Sequence, residues 1–271
     1  MKTMSLIQIS LSALVGRPRE NHPSAHRATR LATIPAVLAG LAFAASPLRA
    51  EQSISVVDWK DAATDSAPDK IFSNGFIEWR HCRVVVVGPE TDPPSPIPGE
   101  QALFVTAEEN SQGRPRFEIK AKPFSPEKAP AKGWIDFQLM VTKAFDLQLG
   151  AGGSPGTDVR KENPYDGVVL VKFLIQTQDS SFALTTVDGK QTSRKLGRFM
   201  PEDTLCTLRV LWTTTPEAIY ISFEIDGFGA PQSDSISIPN PGSATGIDYF
   251  SLREARSDAV FFVGKISAGT Q

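Results

Sequence analysis

The sequence predicts an all-β protein built from two antiparallel sheets packed face to face. Three observations predict this fold class: a hairpin with clean apolar alternation, many further short alternating runs, and no stretch with the periodicity of an amphipathic helix. Many short strands in a chain of 271 residues fit a single two-sheet β-sandwich.

The clearest strand pair lies between Thr204 and Gly227. The apolar side chains of each arm share one face, because residues two apart on a strand point the same way. They are Cys206, Leu208, Val210 and Trp212 in the first arm and Ile219, Ile221, Phe223 and Ile225 in the second. The opposite face of the second arm is polar with one aromatic ring: Tyr220, Ser222, Glu224 and Asp226. Pro216 lacks an N–H donor and suits the turn between the arms.

The remaining strands follow from similar runs. Gly133 to Val141 alternates cleanly, and Val168 to Ile175 is apolar enough for a central strand. Asp188 and Gly189 favour a two-residue hairpin turn. Further strands are predicted at residues 54–59, 71–87, 102–106, 117–121, 145–149, 182–187, 190–196, 236–238, 247–253 and 259–266. Proline-rich or glycine-rich loops separate them.

Residues 1–50 differ from the rest of the chain. Basic residues recur from Arg17 to Arg30, an apolar stretch runs from Ile34 to Ala45, and a small-residue region ends at Ala50. This order is typical of a secretory signal peptide, and the apolar stretch is shorter than the roughly 20 residues that span a bilayer. We therefore expect a leader at 1–50 and one domain at 51–271, secreted or periplasmic. A lone membrane anchor is the alternative.

Net charge argues against nucleic-acid binding. Residues 1–50 hold six Lys or Arg and one Glu, which leaves 22 basic and 29 acidic side chains, a formal charge of −7, in residues 51–271. A phosphate backbone is bound by clustered basic residues, and none remains after the leader.

Two cysteines remain after the leader, Cys82 and Cys206. An exported protein meets oxidising conditions, so we expect a disulfide between them. The alternative is two buried apolar thiols on separate strands.

Metal and catalytic motifs are sparse. His81 is the one histidine after residue 50, whereas a zinc site draws on several His or Cys ligands. Its strand-like surroundings favour an ordinary strand residue over a general base. Asp158, Glu162, Asn163 and Asp166 offer oxygen ligands for calcium in one loop, without the spacing of a known binding loop. We therefore expect no cofactor, with calcium as the alternative.

The segments TLRVLW and IYISFEIDG, joined by a short turn, resemble paired strands of the concanavalin A-like lectin/glucanase and laminin-G-like jelly rolls. GWIDFQLMV and VVLVKFLI resemble earlier strands of such domains. The resemblance spans about Ile71 to Ser267 and implies a jelly-roll sandwich.

Glu224 and Asp226 are similar to the first half of the E-x-D-x-x-E motif of jelly-roll β-glucanases, whose outer glutamates are nucleophile and acid/base. Phe228 and Gly229 stand where the second glutamate would fall. Because retaining hydrolysis needs two carboxyls, the resemblance implies an incomplete pair, and we assign no catalytic residue.

The non-core faces of the strands provide a candidate binding site. Sugar-binding faces pair aromatic rings with polar side chains, and the candidate residues are Trp134, Asp136, Gln138, Arg209, Tyr220, Ser222, Glu224 and Asp226. A solvated outer face with scattered aromatics is the alternative.

The sequence thus predicts an exported, non-catalytic β-sandwich that binds carbohydrate or a cell-surface component. The alternatives are a polysaccharide hydrolase or lyase using Glu224, or a structural envelope protein.

Overall fold

Sixteen β-strands make up nearly all the regular structure in the described part of the chain. The computed structural model describes residues 53–72, 75–108, 112–153, 166–187, 190–197, 200–226, 232–242, 244–254 and 259–271. All of them lie within the unit Leu48–Gln271. The predicted leader lies outside the described residues, and so do Asp188 and Gly189 of the predicted turn.

Eight strands form sheet A. They are β1 (Ser53–Val57), β4 (Cys82–Val87), β5 (Ala102–Ala107), β7 (Lys132–Val141), β12 (Cys206–Thr214), β13 (Ala218–Asp226), β14 (Gln232–Pro239) and β16 (Phe261–Thr270). Their order is β14-β13-β12-β7-β16-β5-β4, and β1 also pairs with β16.

The other eight strands form sheet B. They are β2 (Ile71–Phe72), β3 (Gly75–Arg80), β6 (Arg116–Ala121), β8 (Ala144–Ala151), β9 (Val168–Gln176), β10 (Ser181–Val187), β11 (Lys190–Gly197) and β15 (Tyr249–Glu254). Their order is β11-β10-β9-β8-β15-β6-β3-β2. One 3-10 turn, Pro126–Lys128, precedes β7.

The core lies between the two sheets and is filled by alternate side chains of both. Phe137 of sheet A packs edge-on against Phe250 of sheet B with ring centroids 5.1 Å apart, and Phe223 packs in the same way against Phe173 at 4.4 Å. All four rings are at most 1% exposed. The chain therefore forms the expected two-sheet antiparallel β-sandwich of jelly-roll type.

The predicted hairpin is formed by β12 and β13, paired from Thr207 opposite Asp226 to Thr214 opposite Ile219. The eight apolar residues assigned to one face are all buried, at 2% exposure or less. The polar residues lie on the opposite face, which does not contact sheet B. This alternation was predicted correctly because a strand has only two sides.

The predicted disulfide is wrong. Cys82 lies on β4 and Cys206 on β12, with β7, β16 and β5 between them. Four strand intervals separate the two cysteines by about 19 Å, whereas a disulfide requires Cα atoms within about 7 Å. Both thiols are free and buried, which is the alternative that the sequence left open.

Two other segments differ from expectation. His81, expected within a strand, has a positive φ of 54° and joins β3 of sheet B to β4 of sheet A. The chain changes sheets there, which the strand-like composition of the segment does not reveal. The predicted short run at 236–238 extends to the eight residues of β14, because small serines alternate with inward side chains on this edge strand.

No helix long and apolar enough to cross a membrane occurs among the residues that the structure describes.

Candidate functional site

The pairing of β7, β12, β13 and β14 brings the predicted binding residues onto one surface. We call it the outer face of sheet A, meaning the side turned away from sheet B. One row across the strands contains Asp136, Arg209, Glu224 and Ser233. The next contains Trp134, Leu211, Ser222 and Ser235, and the one after it Thr213, Tyr220 and Ser237. Gln138, Thr207 and Asp226 form a fourth row.

Arg209 and Asp136 are joined by two hydrogen bonds. Arg209 Nε donates to Asp136 Oδ1 at 2.8 Å, and a terminal nitrogen donates to Oδ2 at 2.7 Å. The guanidinium carbon also lies 5.3 Å from the centroid of the Trp134 ring. This arrangement combines a planar ion pair with a cation–π contact. It fixes both side chains against the sheet.

Trp134 does not provide the stacking surface that the sequence suggested. It lies on the outer face as predicted, but the residue is only 5% exposed. Its Nε1 is buried and has no hydrogen-bond partner within the described structure. A sugar ring therefore has no open indole face to stack on at this position, and we interpret Trp134 as part of the packed layer beneath Arg209.

Tyr220 is the exposed aromatic ring of this face. The residue is 52% exposed and borders an open groove of about 470 Å³, here called the Tyr220 groove. Most other groups lining the groove carry hydroxyls or a single polar head. Thr213, Ser222, Ser235 and Ser237 carry hydroxyls, Arg194, Trp212 and Gln271 carry other polar groups, and Leu211, Ile221 and Ile236 are apolar. The groove crosses β12, β13 and β14, so it presents one exposed ring and several donors and acceptors together.

Arg194 reaches the groove from the other sheet. It belongs to β11, the edge strand of sheet B, and donates to Asp234 of β14 at 3.2 Å. Its side chain is 56% exposed, and that of Asp234 is 23% exposed. This ion pair joins the edges of the two sheets and supplies the groove with its one charged lining residue.

Glu224 and Asp226 are both exposed beside the groove. They stand two residues apart on one strand, about 7 Å between Cα atoms. A glycosidase places its acid in apolar, enclosed surroundings that keep it protonated, and neither side chain has such surroundings. Gln138, two strands away, already accepts a hydrogen bond from the Lys265 N–H at 3.0 Å. These positions support contacts to a ligand better than acid–base chemistry.

Three of the four predicted calcium ligands, Asp158, Glu162 and Asn163, lie outside the described residues. Asp166 is described. In the described ranges no group of three His, Cys, Asp or Glu side chains could hold a metal ion.

Sequence reasoning missed a set of charged side chains on the outer face of sheet B, which we call the ionic network. It has two parts. In the first, Arg116 donates to Glu118 Oε2 at 2.9 Å, and Lys120 Nζ lies 3.3 Å from Glu78 and 3.4 Å from Glu118. Arg80 lies 3.7 Å from Glu78. In the second, Lys172 Nζ lies 2.8 Å from Asp146 Oδ2, which also accepts from Arg253.

Glu118, at the base of the ionic network, is a buried carboxylate that stays ionised. Glu118 is 6% exposed, and Ser251 Oγ donates to its Oε1 at 2.5 Å. Burial opposes its ionisation, but the hydrogen bonds from Ser251 and Arg116 and the charge of Lys120 outweigh this, so the pKa of Glu118 lies below its usual value. Such a carboxyl cannot serve as a general acid near neutral pH. In the sequence, RFEIKA shows only ordinary alternation at these positions.

No family model matches this chain, and no curated protein matches its sequence. Among solved structures it is similar to a lectin from Bauhinia forficata in complex with GalNAc, with 9% identity, 82% of this chain and 98% of that chain covered, and a TM-score of 0.47. A legume lectin-like domain from Entamoeba histolytica has 10% identity, coverage of 72% and 89%, and a TM-score of 0.43. The exoplasmic/lumenal domain of VIP36, in a Ca²⁺/Man3GlcNAc-bound form, has 10% identity, coverage of 71% and 83%, and a TM-score of 0.40. The fold class of this chain is assigned from its own two antiparallel sheets.

Proposed function

We propose that this chain is an exported, non-catalytic β-sandwich protein that binds carbohydrate or another cell-surface component in the Tyr220 groove. The observation that carries the proposal is the half-exposed ring of Tyr220 among the hydroxyls of Thr213, Ser222, Ser235 and Ser237. A pyranose presents apolar C–H faces and a rim of hydroxyls, and this groove offers a complementary partner to each.

The hydroxyl-rich lining favours a polyhydroxylated ligand over an apolar one. A buried hydroxyl without a hydrogen-bond partner is costly, so an apolar ligand would leave several lining groups unsatisfied. The one charged lining residue, Arg194, is already paired with Asp234. We therefore expect the groove to take a neutral sugar.

A glycan array probed with the purified protein tests the proposal directly. We expect binding to a limited set of glycans that the Tyr220→Ala variant no longer recognises. If the folded protein binds no glycan on the array, the proposal is wrong.

The hydrolase or lyase alternative predicts a different outcome at Glu224. Glu224→Gln keeps the shape of the side chain and removes its charge, so a binding site should weaken only modestly, whereas an enzyme using Glu224 as nucleophile would lose nearly all turnover. Release of reducing ends from the bound glycan, followed with wild type and variant, separates the two functions.

Export is the remaining element of the proposal, and it rests on the order of basic, apolar and small residues before Ala50. N-terminal sequencing of the protein recovered from outside the cytoplasm should find a start near Glu51. Material that retains Met1 would contradict both the leader and the localisation.

A further inference from the structure

The outer face of sheet B carries more basic than acidic side chains, although residues 51–271 are acidic overall. Strand pairing turns six Lys and Arg side chains outward on this sheet: Arg80, Arg116, Lys120, Lys172, Lys195 and Arg253. The carboxylates turned outward on the same strands are Glu78, Glu118 and Asp146. The face is therefore cationic within a chain whose remaining surface is acidic.

Burial separates most charges of the ionic network by depth; the exceptions are Lys120, whose side chain is 8% exposed, and Glu78, whose side chain is 22% exposed. The carboxylate side chains of Glu118 and Asp146 are 8% and 6% exposed, so they lie at the base. The cations above them are open to solvent, with side-chain exposures of 45% for Arg116, 33% for Arg253 and 31% for Lys172. What a ligand meets at this surface is mainly guanidinium and ammonium groups.

The buried carboxylates hold these cations in place before any ligand arrives. Each cation uses only part of its hydrogen-bonding capacity, because a guanidinium has five N–H donors and an ammonium has three. Positively charged groups fixed in advance lose less side-chain entropy when they bind an anion than free surface lysines do. The network thus resembles a prepared anion-binding surface more than a set of ordinary salt bridges.

We propose that the outer face of sheet B is a second binding surface, whose ligand is a carboxylated polysaccharide. Arg116, Arg253 and Lys172 belong to β6, β15 and β9, which span three strand intervals or about 14 Å. That spread suits negative charges repeated along an extended chain and is too wide for one small anion. Double-stranded DNA carries about one charge per 1.7 Å, and the net negative charge of the protein opposes so dense a polyanion.

Binding of oligogalacturonate to the purified protein, measured by calorimetry, tests the proposal. We expect binding at low salt, at least about tenfold weaker at high salt because screening shortens the reach of the cations. The same oligosaccharide with its carboxyls reduced to alcohols should bind at least about tenfold more weakly, since its charges are gone.

Variants locate the surface. Arg116→Gln combined with Lys172→Gln should weaken oligogalacturonate binding about tenfold or more, because both remove exposed donors. Arg83→Gln is the matched control: it removes one exposed cation from β4 of sheet A and should leave affinity unchanged. Should the double variant fail to fold, Arg80→Gln, at a side chain 71% exposed, should still weaken binding measurably.

Three results would overturn the proposal: no binding of oligogalacturonate by folded protein, an equal loss in Arg83→Gln, or tighter binding of a DNA oligonucleotide of matched charge. Tyr220→Ala should leave this affinity intact, so failure here is distinguishable from failure of the Tyr220 groove.

Discussion

Arg209 on β12 and Asp136 on β7 are paired by two parallel hydrogen bonds of 2.8 and 2.7 Å on the outer face of sheet A. The Asp136 side chain is 17% exposed and that of Arg209 is 41% exposed, so solvent screens the pair only in part. The same guanidinium lies over Trp134. One side chain therefore links two strands and covers a third residue.

The first prediction concerns this ion pair. A double-mutant cycle with Arg209→Met and Asp136→Asn should give a coupling energy of about 1 kcal/mol in the free energy of unfolding, the upper end for an exposed pair, because the geometry is bidentate. Arg209→Lys keeps the charge but lacks the planar fork, and we expect it to recover less than half of the coupling. Urea unfolding of the four proteins of the cycle, and of Arg209→Lys with and without Asp136→Asn, measures both coupling energies. Strict additivity would show that the pair contributes nothing.

The second prediction concerns Trp134. Because the ring is 5% exposed, Trp134→Ala should destabilise the fold by about 3 kcal/mol. Phe223→Ala, in the core, should cost about 3–5 kcal/mol and is the reference. Thermal unfolding compares the two. Unchanged stability in Trp134→Ala would mean that the ring is open to solvent and available to a ligand.

The third prediction concerns pH. The pKa of Glu118 is lowered in the folded state, so its contribution to stability is complete above the unfolded pKa of a glutamate and is lost as pH falls through the folded value. Glu118→Gln should therefore lower stability at pH 7, by about 3 kcal/mol since it breaks a buried pair. Its stability should also fall less steeply than that of wild type below about pH 4.5. Parallel curves of unfolding free energy against pH would contradict this assignment.

The fourth prediction concerns the thiols. Burial raises the pKa of Cys82 to about 11 and that of Cys206 to about 12. At pH 8 only about one thiol in a thousand or fewer is ionised, and the thiolate is the reactive form. Thiol reagent should react slowly with the folded protein and should titrate two thiols per chain after unfolding without reductant. If the unfolded protein shows no free thiol, the two cysteines form the disulfide predicted from the sequence.

Apolar alternation allowed the fold and the strand faces to be predicted, because the two-residue period of a strand fixes which side chains share a side. It placed Tyr220, Glu224 and Arg209 on one surface correctly. It could not show that Arg209 covers Trp134, since that depends on the register between β12 and β7, which pairs Arg209 with Asp136, 73 positions away.

The order of the strands within each sheet also could not be predicted from local sequence patterns. Cys82 and Cys206 both lie at inward positions of their strands, yet three strands separate them within sheet A. The ionic network was missed for the same reason, because it depends on which strands are neighbours. Ser251 meets Glu118 only because β15 pairs with β6, a contact across 133 residues. Contacts of such sequence separation are set by topology, which composition and periodicity do not encode.

The last prediction isolates the ring of Tyr220. Tyr220→Ala should reduce affinity for the glycan found on the array about tenfold or more, because an aromatic supplies 150–250 Å² of contact area. Tyr220→Phe keeps the ring and should retain most of the affinity if stacking dominates. Neither change should lower the unfolding temperature by more than a few degrees, since the residue is 52% exposed. Thr207→Ala is the control, at a position on the same face but outside the residues that line the groove. Calorimetric titration of wild type and the three variants with that glycan measures the four affinities. Equal affinity in Tyr220→Ala and wild type would exclude the groove as the binding site, whereas equal losses in Tyr220→Ala and Tyr220→Phe would assign the contact to the hydroxyl instead of the ring.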